Sequence, residues 1–306
     1  LHQVGCRNFF VATVDEGVDL RKVLPKANIY VFHGVLPGTE SDLISHNLLP
    51  ILNSLEQIET WKAKTNKPAG LHLDTGMSRL GLPLEEHSKI NSLVSFEINL
   101  VISHLACAEE KEHPKNKEQL ALFIKMKKTV PAKYFSLAAS SGIFLGTDYH
   151  FDVCRAGVSL FGINPTPYGS NPMSEVVKLQ AKILQIRSVD THETVGYGAT
   201  YQVNKPSKIA TIAVGYADGY MRSLSNCGSV FIGDYEAPVI GRISMDLTTI
   251  DVTNIPSSHL SVGALVDLIG SRNPIDQLAK RAGTIGYEIL TSLGNRFERR
   301  YVVEKN

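Results

Sequence analysis

The first half of the chain repeats one pattern, in which a short apolar strand-like segment is followed by a helix-like segment. Seven strand-like segments precede Pro172, at residues 9–14, 29–32, 49–52, 69–73, 100–105, 134–137 and 151–153. Strands that alternate with helices of this length predict parallel βαβ units. Seven units are one fewer than a closed, TIM-like (β/α)8 barrel needs, and we expect the first unit to lie upstream of Leu1. A doubly wound open sheet is the alternative, although no G-x-G-x-x-G sequence follows any of these strands.

The pattern changes after a stretch that contains Pro165, Pro167, Gly169 and Pro172. Short strand-like segments then follow one another at hairpin spacing, which predicts a mainly antiparallel β structure. They lie at residues 176–189, 208–216, 229–232, 237–240, 247–252 and 264–269, and helices are predicted at residues 275–282 and 287–293. A chain of 306 residues is long enough for two domains. We therefore predict an incomplete barrel domain at residues 1–172 and a β domain at residues 173–306.

Composition limits the possible functions. The chain is 43% hydrophobic and 20% charged, which is ordinary for a globular protein, and no apolar run approaches the length of a membrane span. A net charge of +1 provides no basic surface for nucleic acid. The four cysteines are far apart and form no C-x-x-C motif. We interpret them as free, mostly buried thiols and expect a reducing, cytoplasmic location.

Barrel enzymes build their active sites from the loops that follow the strands. The polar groups predicted there include Arg79, His104, Ser140 and Arg155, followed by Gly157 and Val158. An arginine can bind a carboxylate through two hydrogen bonds, while a serine and backbone amides suit a phosphate, so a small anionic ligand is indicated. His104 alone could equally be a core histidine with a satisfied hydrogen bond.

A metal site is not predicted at this rim. His72 and Asp74 have the spacing of a ligand pair, but no third ligand stands at a helpful distance in the sequence.

Six motifs together resemble those of one enzyme family. They are H-L-D-T-G-M-S-R-L-G at residues 72–81, F-D-V-C-R-A-G-V-S-L-F-G at 151–162, V-G-Y-G-A-T-Y at 195–201, V-G-Y-A-D-G-Y at 214–220, G-R-I-S-M-D at 241–246 and I-G-Y-E at 285–288. The set is similar, in content and order, to the motifs of the alanine racemase family, and it extends over most of the chain. The resemblance implies a pyridoxal 5'-phosphate (PLP) enzyme of fold type III, with a barrel, a β domain and a head-to-tail homodimer with shared active sites.

The same resemblance implies catalytic roles. Arg155 matches the arginine that hydrogen-bonds the pyridine nitrogen of PLP, and Tyr197 matches the tyrosine that exchanges the α-proton on one face of the substrate. His104 matches the histidine that links this arginine and tyrosine. Contacts with the PLP phosphate are implied for Ser140, Gly157, Val158 and Tyr287. Contacts with the substrate or its entrance are implied for Arg79, Met245 and Tyr216.

Three departures from the family pattern matter. His72 stands where the family often has a carbamylated lysine that orients the substrate-binding arginine, so Arg79 must be held in another way, for which an inorganic anion is one candidate. Ala139 stands where an asparagine usually precedes the phosphate-binding serine. The A-V-V-K-A-D-A-Y-G motif, whose lysine binds PLP covalently and is the second base, is absent from the sequence. We expect that lysine to lie upstream of Leu1 in a longer protein.

Three functions follow as hypotheses. The first is PLP-dependent interconversion of L- and D-alanine by a two-base mechanism, which supplies D-alanine for peptidoglycan synthesis. The second is a broad-specificity amino-acid racemase or another fold-type III enzyme such as a decarboxylase, although the glycine-triplet loop and C-terminal cysteine motif of the decarboxylases are missing. The third is a PLP-binding protein without catalytic activity.

Overall fold

The computed structural model describes residues 1–302, and the chain divides into two compact units. The first unit contains Leu1–Gly157 together with Pro165–Ser170, and the second contains Val158–Asn164 and the described chain from Asn171 onward. Each unit has its own hydrophobic core.

The first unit is built on a parallel sheet of six strands that pair in chain order. The strands are β1 (Asn8–Val11), β2 (Asn28–Val31), β3 (Leu49–Leu52), β4 (Ala69–His72), β5 (Ile98–Ile102) and β6 (Tyr134–Ser136). The helices are α1 (Val14–Val23), α2 (Glu40–Ser45), α3 (Leu55–Lys64), α4 (His87–Leu93), α5 (Pro114–Lys127) and α6 (Ser140–Ile143). The predicted alternation of parallel strands and helices is confirmed.

The strands of this sheet are apolar on both faces, as expected for parallel strands covered on both sides. In β2, Ile29 and Val31 pack with the helices in the larger core cluster. Tyr30, on the opposite face, packs with Ile51 and Leu100 in a separate inner cluster. Because successive strand residues alternate in direction, one short apolar segment contributes to both clusters.

Local signals in the sequence set the beginnings of α1 and α3. Thr13 and Glu16 form a capping box at the start of α1, in which each side chain accepts a hydrogen bond from the backbone of the other residue. Ser54 accepts a hydrogen bond from the Gln57 amide at the start of α3. These caps satisfy amide groups that the first helical turn leaves without an intrahelical partner.

The predicted strand at residues 151–153 is wrong. Phe151 has a positive φ of 52°, which interrupts an extended chain. The amides of Asp152 and Val153 both donate to the Phe135 carbonyl, so the regular ladder of a parallel pair cannot form. The first β-bridge to the neighbouring segment comes later, between Ala139 and Arg155, and it is an isolated one.

The second unit is mainly antiparallel, as predicted. Its main sheet has the order β12-β11-β14-β7-β10-β13, and β8 and β9 form a separate hairpin. The strands are β7 (Leu179–Val189), β8 (Thr194–Val195), β9 (Tyr201–Gln202), β10 (Ser207–Ile212), β11 (Ser229–Ile232), β12 (Tyr235–Pro238), β13 (Thr248–Asp251) and β14 (Leu265–Ile269). The helices are α7 (Ile275–Ala282) and α8 (Gly286–Ser292). The long strand β7 pairs with both β10 and β14 and so joins the two halves of the main sheet.

The cysteines are free, as predicted, but they are less buried than expected. Cys154 and Cys227 are exposed, while Cys6 and Cys107 are partly buried. The prediction fails because Cys154 and Cys227 lie in connecting segments at the surface rather than in strands. Within residues 1–302, no helix is both long and apolar enough to cross a membrane.

Arg21 in α1 stabilises the segments that connect α1 to β2 and α2 to β3. Its guanidinium donates hydrogen bonds of 2.8–3.2 Å to the backbone carbonyls of Leu24, Pro25, Ala27, His46 and Asn47. Arg21→Lys keeps the charge but lacks the planar set of donors, so we expect it to lower the free energy of unfolding by about 1–2 kcal/mol. Urea unfolding followed by circular dichroism measures this change. Exposed Lys22 forms a surface pair with Asp19, and Lys22→Met is the matched control, with an expected change below about 0.5 kcal/mol.

Candidate active site

Arg155 is the centre of the polar network at the ends of the parallel strands. Its side chain is buried, with 8% of the residue exposed. Nη1 donates to the carbonyl and hydroxyl oxygens of Ser136 at 2.9 and 2.7 Å. Nη2 donates to the carbonyl oxygens of Ser103 and Leu137 at 2.6 and 3.3 Å, and to His104 Nδ1 at 3.2 Å. None of these bonds uses Nε.

All of these partners are neutral. Within residues 1–302, no Asp or Glu side chain forms an ion pair with Arg155. Burial lowers the pKa of Arg155 to about 10, so the guanidinium still carries its charge at neutral pH. A buried cation without a carboxylate partner attracts an anionic ligand or a lone pair, because either one offsets part of its desolvation cost.

His104 is held in one tautomer by Arg155. A guanidinium only donates hydrogen bonds, so His104 Nδ1 must accept and its proton, when the ring is neutral, is on Nε2. Burial, followed by the nearby charge of Arg155, lowers the pKa of His104 to about 3. The ring is therefore neutral at physiological pH and can offer an N–H donor.

Gln119 completes the support for this network, and the sequence analysis did not select it. It is fully buried in α5, and its Nε2 donates to the Thr75 hydroxyl at 3.1 Å and to the His104 carbonyl at 2.9 Å. The Thr75 hydroxyl lies 2.8 Å from that of Ser103. The signal available in the sequence is a polar amide side chain on the buried face of α5. Its supporting role is recognisable only in the folded structure, where the side chain reaches the His104 carbonyl.

The loop after β4 is organised by Asp74 and carries Arg79. The Asp74 carboxylate accepts hydrogen bonds of 2.8–2.9 Å from the amides of Gly76, Met77 and Ser78. Asp74 is therefore engaged in shaping the loop, and Arg79 is exposed at the rim. Among residues 1–302, no group of three or more His, Cys, Asp or Glu residues could hold a metal ion.

His72 lies beneath this loop and is buried. Its Nδ1 is 3.0 Å from Asn53 Oδ1. The Asn53 amide nitrogen donates to the carbonyls of Phe32 and Ile51, so Oδ1 is the acceptor and His72 Nδ1 carries a proton. Burial, and then the charge of Arg155, lowers the pKa of His72 to about 4. Neutral His72 is therefore no anionic replacement for a carbamylated lysine.

The residues predicted to contact a phosphate form one pair in each unit. In the first unit, the Gly157 amide donates to the Ser140 hydroxyl at 2.9 Å. In the second unit, the Val158 backbone forms a hydrogen bond with the Tyr287 hydroxyl. Burial raises the pKa of Tyr287, and this hydrogen bond offsets part of the rise. Each pair thus joins residues that are far apart in the sequence.

The residues predicted to contact the substrate from the β domain are exposed. The Tyr216 amide donates to the Ser244 carbonyl at 3.0 Å, and the Ala217 amide donates to the Met245 carbonyl at 2.9 Å. Gly215 lies so close to the Met245 backbone that any side chain there would overlap it. The structure therefore places the turn with Tyr216 directly against the loop with Met245.

Tyr197 lies in a short turn between two glycines and is 71% exposed. Gly196 and Gly198 both have positive φ, of 76° and 72°, and both approach Arg242. The glycines allow the chain to make this turn, since residues with side chains rarely adopt such angles. The turn leaves the Tyr197 ring available to contact another molecule.

Comparison with known proteins identifies the family. Models of the alanine racemase N-terminal and C-terminal domains match residues 1–165 and 176–301. The chain is 48% identical to an alanine racemase of Rhodospirillum rubrum over 97% of this chain and 82% of that protein. It belongs to the alanine racemase family. A biosynthetic alanine racemase of Agrobacterium fabrum is 42% identical over 99% of this chain and 82% of its own length.

Solved structures of alanine racemases have the same fold. The Bartonella henselae alanine racemase, a crystal structure with covalently bound pyridoxal phosphate, has a TM-score of 0.94 and 39% identity, and covers 99% of this chain and 87% of that chain. The biosynthetic alanine racemase of Pseudomonas aeruginosa has a TM-score of 0.90 and 32% identity, and the match covers 97% of this chain and 85% of that chain. The predicted fold class, a TIM-like barrel followed by an antiparallel β domain, is confirmed.

The histidine pKa values make stability depend on pH. The folded pKa of His72 is about 4, below the ordinary value of 6.5, so between these pH values the unfolded state binds more protons and stability falls as pH falls. From pH 7 to pH 5 we expect His72 to account for a loss of about 2 kcal/mol. His72→Asn should remove that part of the loss, as measured by urea unfolding at both pH values. His192 is exposed, and His192→Asn is the control that should keep the wild-type pH dependence. Equal acid sensitivity in wild type and His72→Asn would contradict the prediction.

Proposed function

We propose that this protein interconverts L- and D-alanine with PLP as cofactor. Membership of the alanine racemase family supports the reaction, and the PLP-bound structure from Bartonella henselae supports the cofactor. We propose further that the protein is cytoplasmic and that its product, D-alanine, is used for peptidoglycan synthesis, as the sequence resemblance implies.

The observation that carries the proposal is the buried Arg155 guanidinium, whose hydrogen-bond partners within residues 1–302 are all neutral and do not use its Nε. This donor fits the pyridine nitrogen of PLP, a lone-pair acceptor. When bound, PLP withdraws electrons from the α-carbon of the amino acid. Arg155 donates a hydrogen bond but gives up no proton at physiological pH, so it keeps the ring nitrogen unprotonated and the electron withdrawal moderate. Return of the proton to the α-carbon is thereby favoured over loss of the amino group.

A racemase needs a proton-transfer group on each face of the α-carbon. We propose Tyr197 for one face, supported by its exposed position between two glycines. The family's PLP-binding lysine is proposed for the other face. His104, neutral and held by Arg155, is proposed to join Arg155 and Tyr197 through the proton on its Nε2.

The remaining site residues are proposed to hold the two anionic ends of the reactants. For the phosphate these residues are Ser140, Gly157, Val158 and Tyr287. For the substrate they are Arg79 and Met245 at the carboxylate and Tyr216 at the entrance. The hydrogen bond between Gly157 and Ser140, and the close approach of the Tyr216 turn to the Met245 loop, support these groupings.

The role of Arg155 predicts a change in reaction. Arg155→Glu replaces a donor by a carboxyl group that can share a proton with the ring nitrogen, which strengthens electron withdrawal. We expect racemisation to fall about 100-fold or more, because a positioned donor of this kind contributes about that much. Alanine should instead be converted slowly to pyruvate, with loss of its amino group to the cofactor. Circular dichroism follows racemisation, and a coupled dehydrogenase assay follows pyruvate.

Arg155→Lys is the matched variant, since it keeps a cation and supplies no carboxyl group. It should racemise more slowly than wild type without forming pyruvate. Normal racemisation by Arg155→Glu, with PLP bound and no pyruvate, would show that Arg155 does not control the ring nitrogen.

We also propose that the protein is a head-to-tail homodimer with shared active sites. Arg155 and His104 belong to the first unit of the chain, whereas Tyr197 and Met245 belong to the second. The resemblance assigns the two sets in one site to different subunits, and a two-fold axis then generates two equivalent sites in each dimer.

Subunit mixing tests this arrangement. Arg155→Ala and Tyr197→Phe, each inactive by itself, are unfolded and refolded together with PLP. In a mixed dimer one shared site collects both lesions and the other collects neither, so random pairing should restore about a quarter of wild-type activity. Each mutant refolded alone is the control. If each site is formed by one chain, the mixture will be no more active than the two controls.

A further inference from the structure

A charged contact in the second unit joins the two segments that carry Tyr216 and Met245. Arg296 Nε lies 3.2 Å from Asp218 Oδ1, and its Nη1 lies 2.6 Å from Asp246 Oδ1. Asp218 is two residues after Tyr216, and Asp246 directly follows Met245. One guanidinium therefore connects both segments through a carboxylate from each.

The two carboxylates differ in their surroundings. Asp218 is buried, with 6% exposed, and its Oδ2 accepts a hydrogen bond of 2.9 Å from the Gly215 amide. Asp246 and Arg296 are about half exposed. Asp218 is thus the fixed end of the contact, and Arg296 ties the more exposed Met245 loop to it. Without Arg296, the buried Asp218 carboxylate would lose its cation, and the Met245 loop would lose the charged contact that adds to its backbone hydrogen bonds with the Tyr216 turn.

The segment that carries Arg296 is itself anchored to the same turn. It follows α8, whose second residue is Tyr287. The Gly294 amide donates to the Asp218 carbonyl at 3.0 Å. Gly219, with a φ of 96°, lies against the Ser292 backbone with no room for a side chain. The position of Arg296 relative to the Tyr216 turn is therefore set by backbone contacts.

We propose that Arg296 is a positioning residue that fixes the distance between Tyr216 and Met245 and thereby limits the size of the amino-acid side chain that the enzyme accepts. The inference rests on the proposed function, in which these two residues face the substrate. Arg296 itself acts through Asp218 and Asp246. A pocket that excludes one extra methylene or hydroxyl group discriminates by about 10- to 200-fold, so a small displacement of the Met245 loop is enough to weaken selectivity.

Arg296→Gln in the PLP-loaded protein tests the proposal with alanine, serine and 2-aminobutyrate as substrates. We expect KM for alanine to rise about tenfold and kcat to change less than about threefold, since the proton-transfer groups are untouched. The ratio of kcat/KM for alanine to that for each larger substrate should fall about tenfold. Arg296→Lys keeps a cation that can reach one carboxylate and should restore part of the selectivity. Among residues 1–302, Arg300 pairs with neighbouring Glu298, and Arg300→Gln is the control variant, with wild-type constants expected.

Asp246→Ala is the second variant, because it removes the connection to the Met245 loop and leaves the Arg296–Asp218 pair in place. It should reproduce the selectivity change even if Arg296→Gln folds poorly. Wild-type KM and selectivity in both variants would overturn the proposal, as would a fall in kcat that is equal for all three substrates. Met245→Ala distinguishes failure of the Arg296 proposal from failure of the proposed function. If Met245→Ala changes KM while the variants of Arg296 and Asp246 do not, only the role of Arg296 fails. If the wild-type protein racemises no alanine, the proposed function fails.

Discussion

The polar network of the first unit depends on one buried guanidinium that has no carboxylate partner in the described part of the chain. Arg155 finds hydrogen-bond acceptors at the ends of two neighbouring strands. Ser103 directly follows β5, and Ser136 is the last residue of β6. Desolvation of a cation is costly, and several well-placed neutral acceptors are needed to keep it charged. The same requirement determines the tautomer of His104 and leaves one donor of Arg155 for a ligand.

The polar network around Arg155 is supported by side chains from a helix as well as from the strand ends. Gln119 reaches from α5 to the carbonyl of His104 and to Thr75, which joins the network to the loop after β4. His72 and Asn53 form a neighbouring neutral pair beneath that loop. His72 and His104 are neutral and add no positive charge to that of Arg155 and Arg79 at this rim, where the arginines suit an anionic ligand.

The second unit relies on close backbone approach as well as on the charged contact between Arg296 and buried Asp218. Gly215 and Gly219 occupy positions where a side chain would overlap the neighbouring backbone, and they bring the Tyr216 turn against two other segments. Tyr216 and Met245 consequently stay exposed while their backbones are firmly held. Because these backbones are already held, their ordering adds no further entropy cost if a small molecule binds to the two side chains.

The sequence alone determined the alternation of strands and helices, the change to antiparallel strands, and several element bounds, such as β11 at Ser229–Ile232 and α7 at Ile275–Ala282. These features follow from local periodicity and turn residues. Its motifs also predicted the family. The tertiary structure decided what local patterns cannot encode: that the segment before Arg155 is a turn, that Gln119 supports His104, and that Arg296 joins two loops. These contacts connect residues many positions apart, and their geometry exists only after the strands and helices have packed.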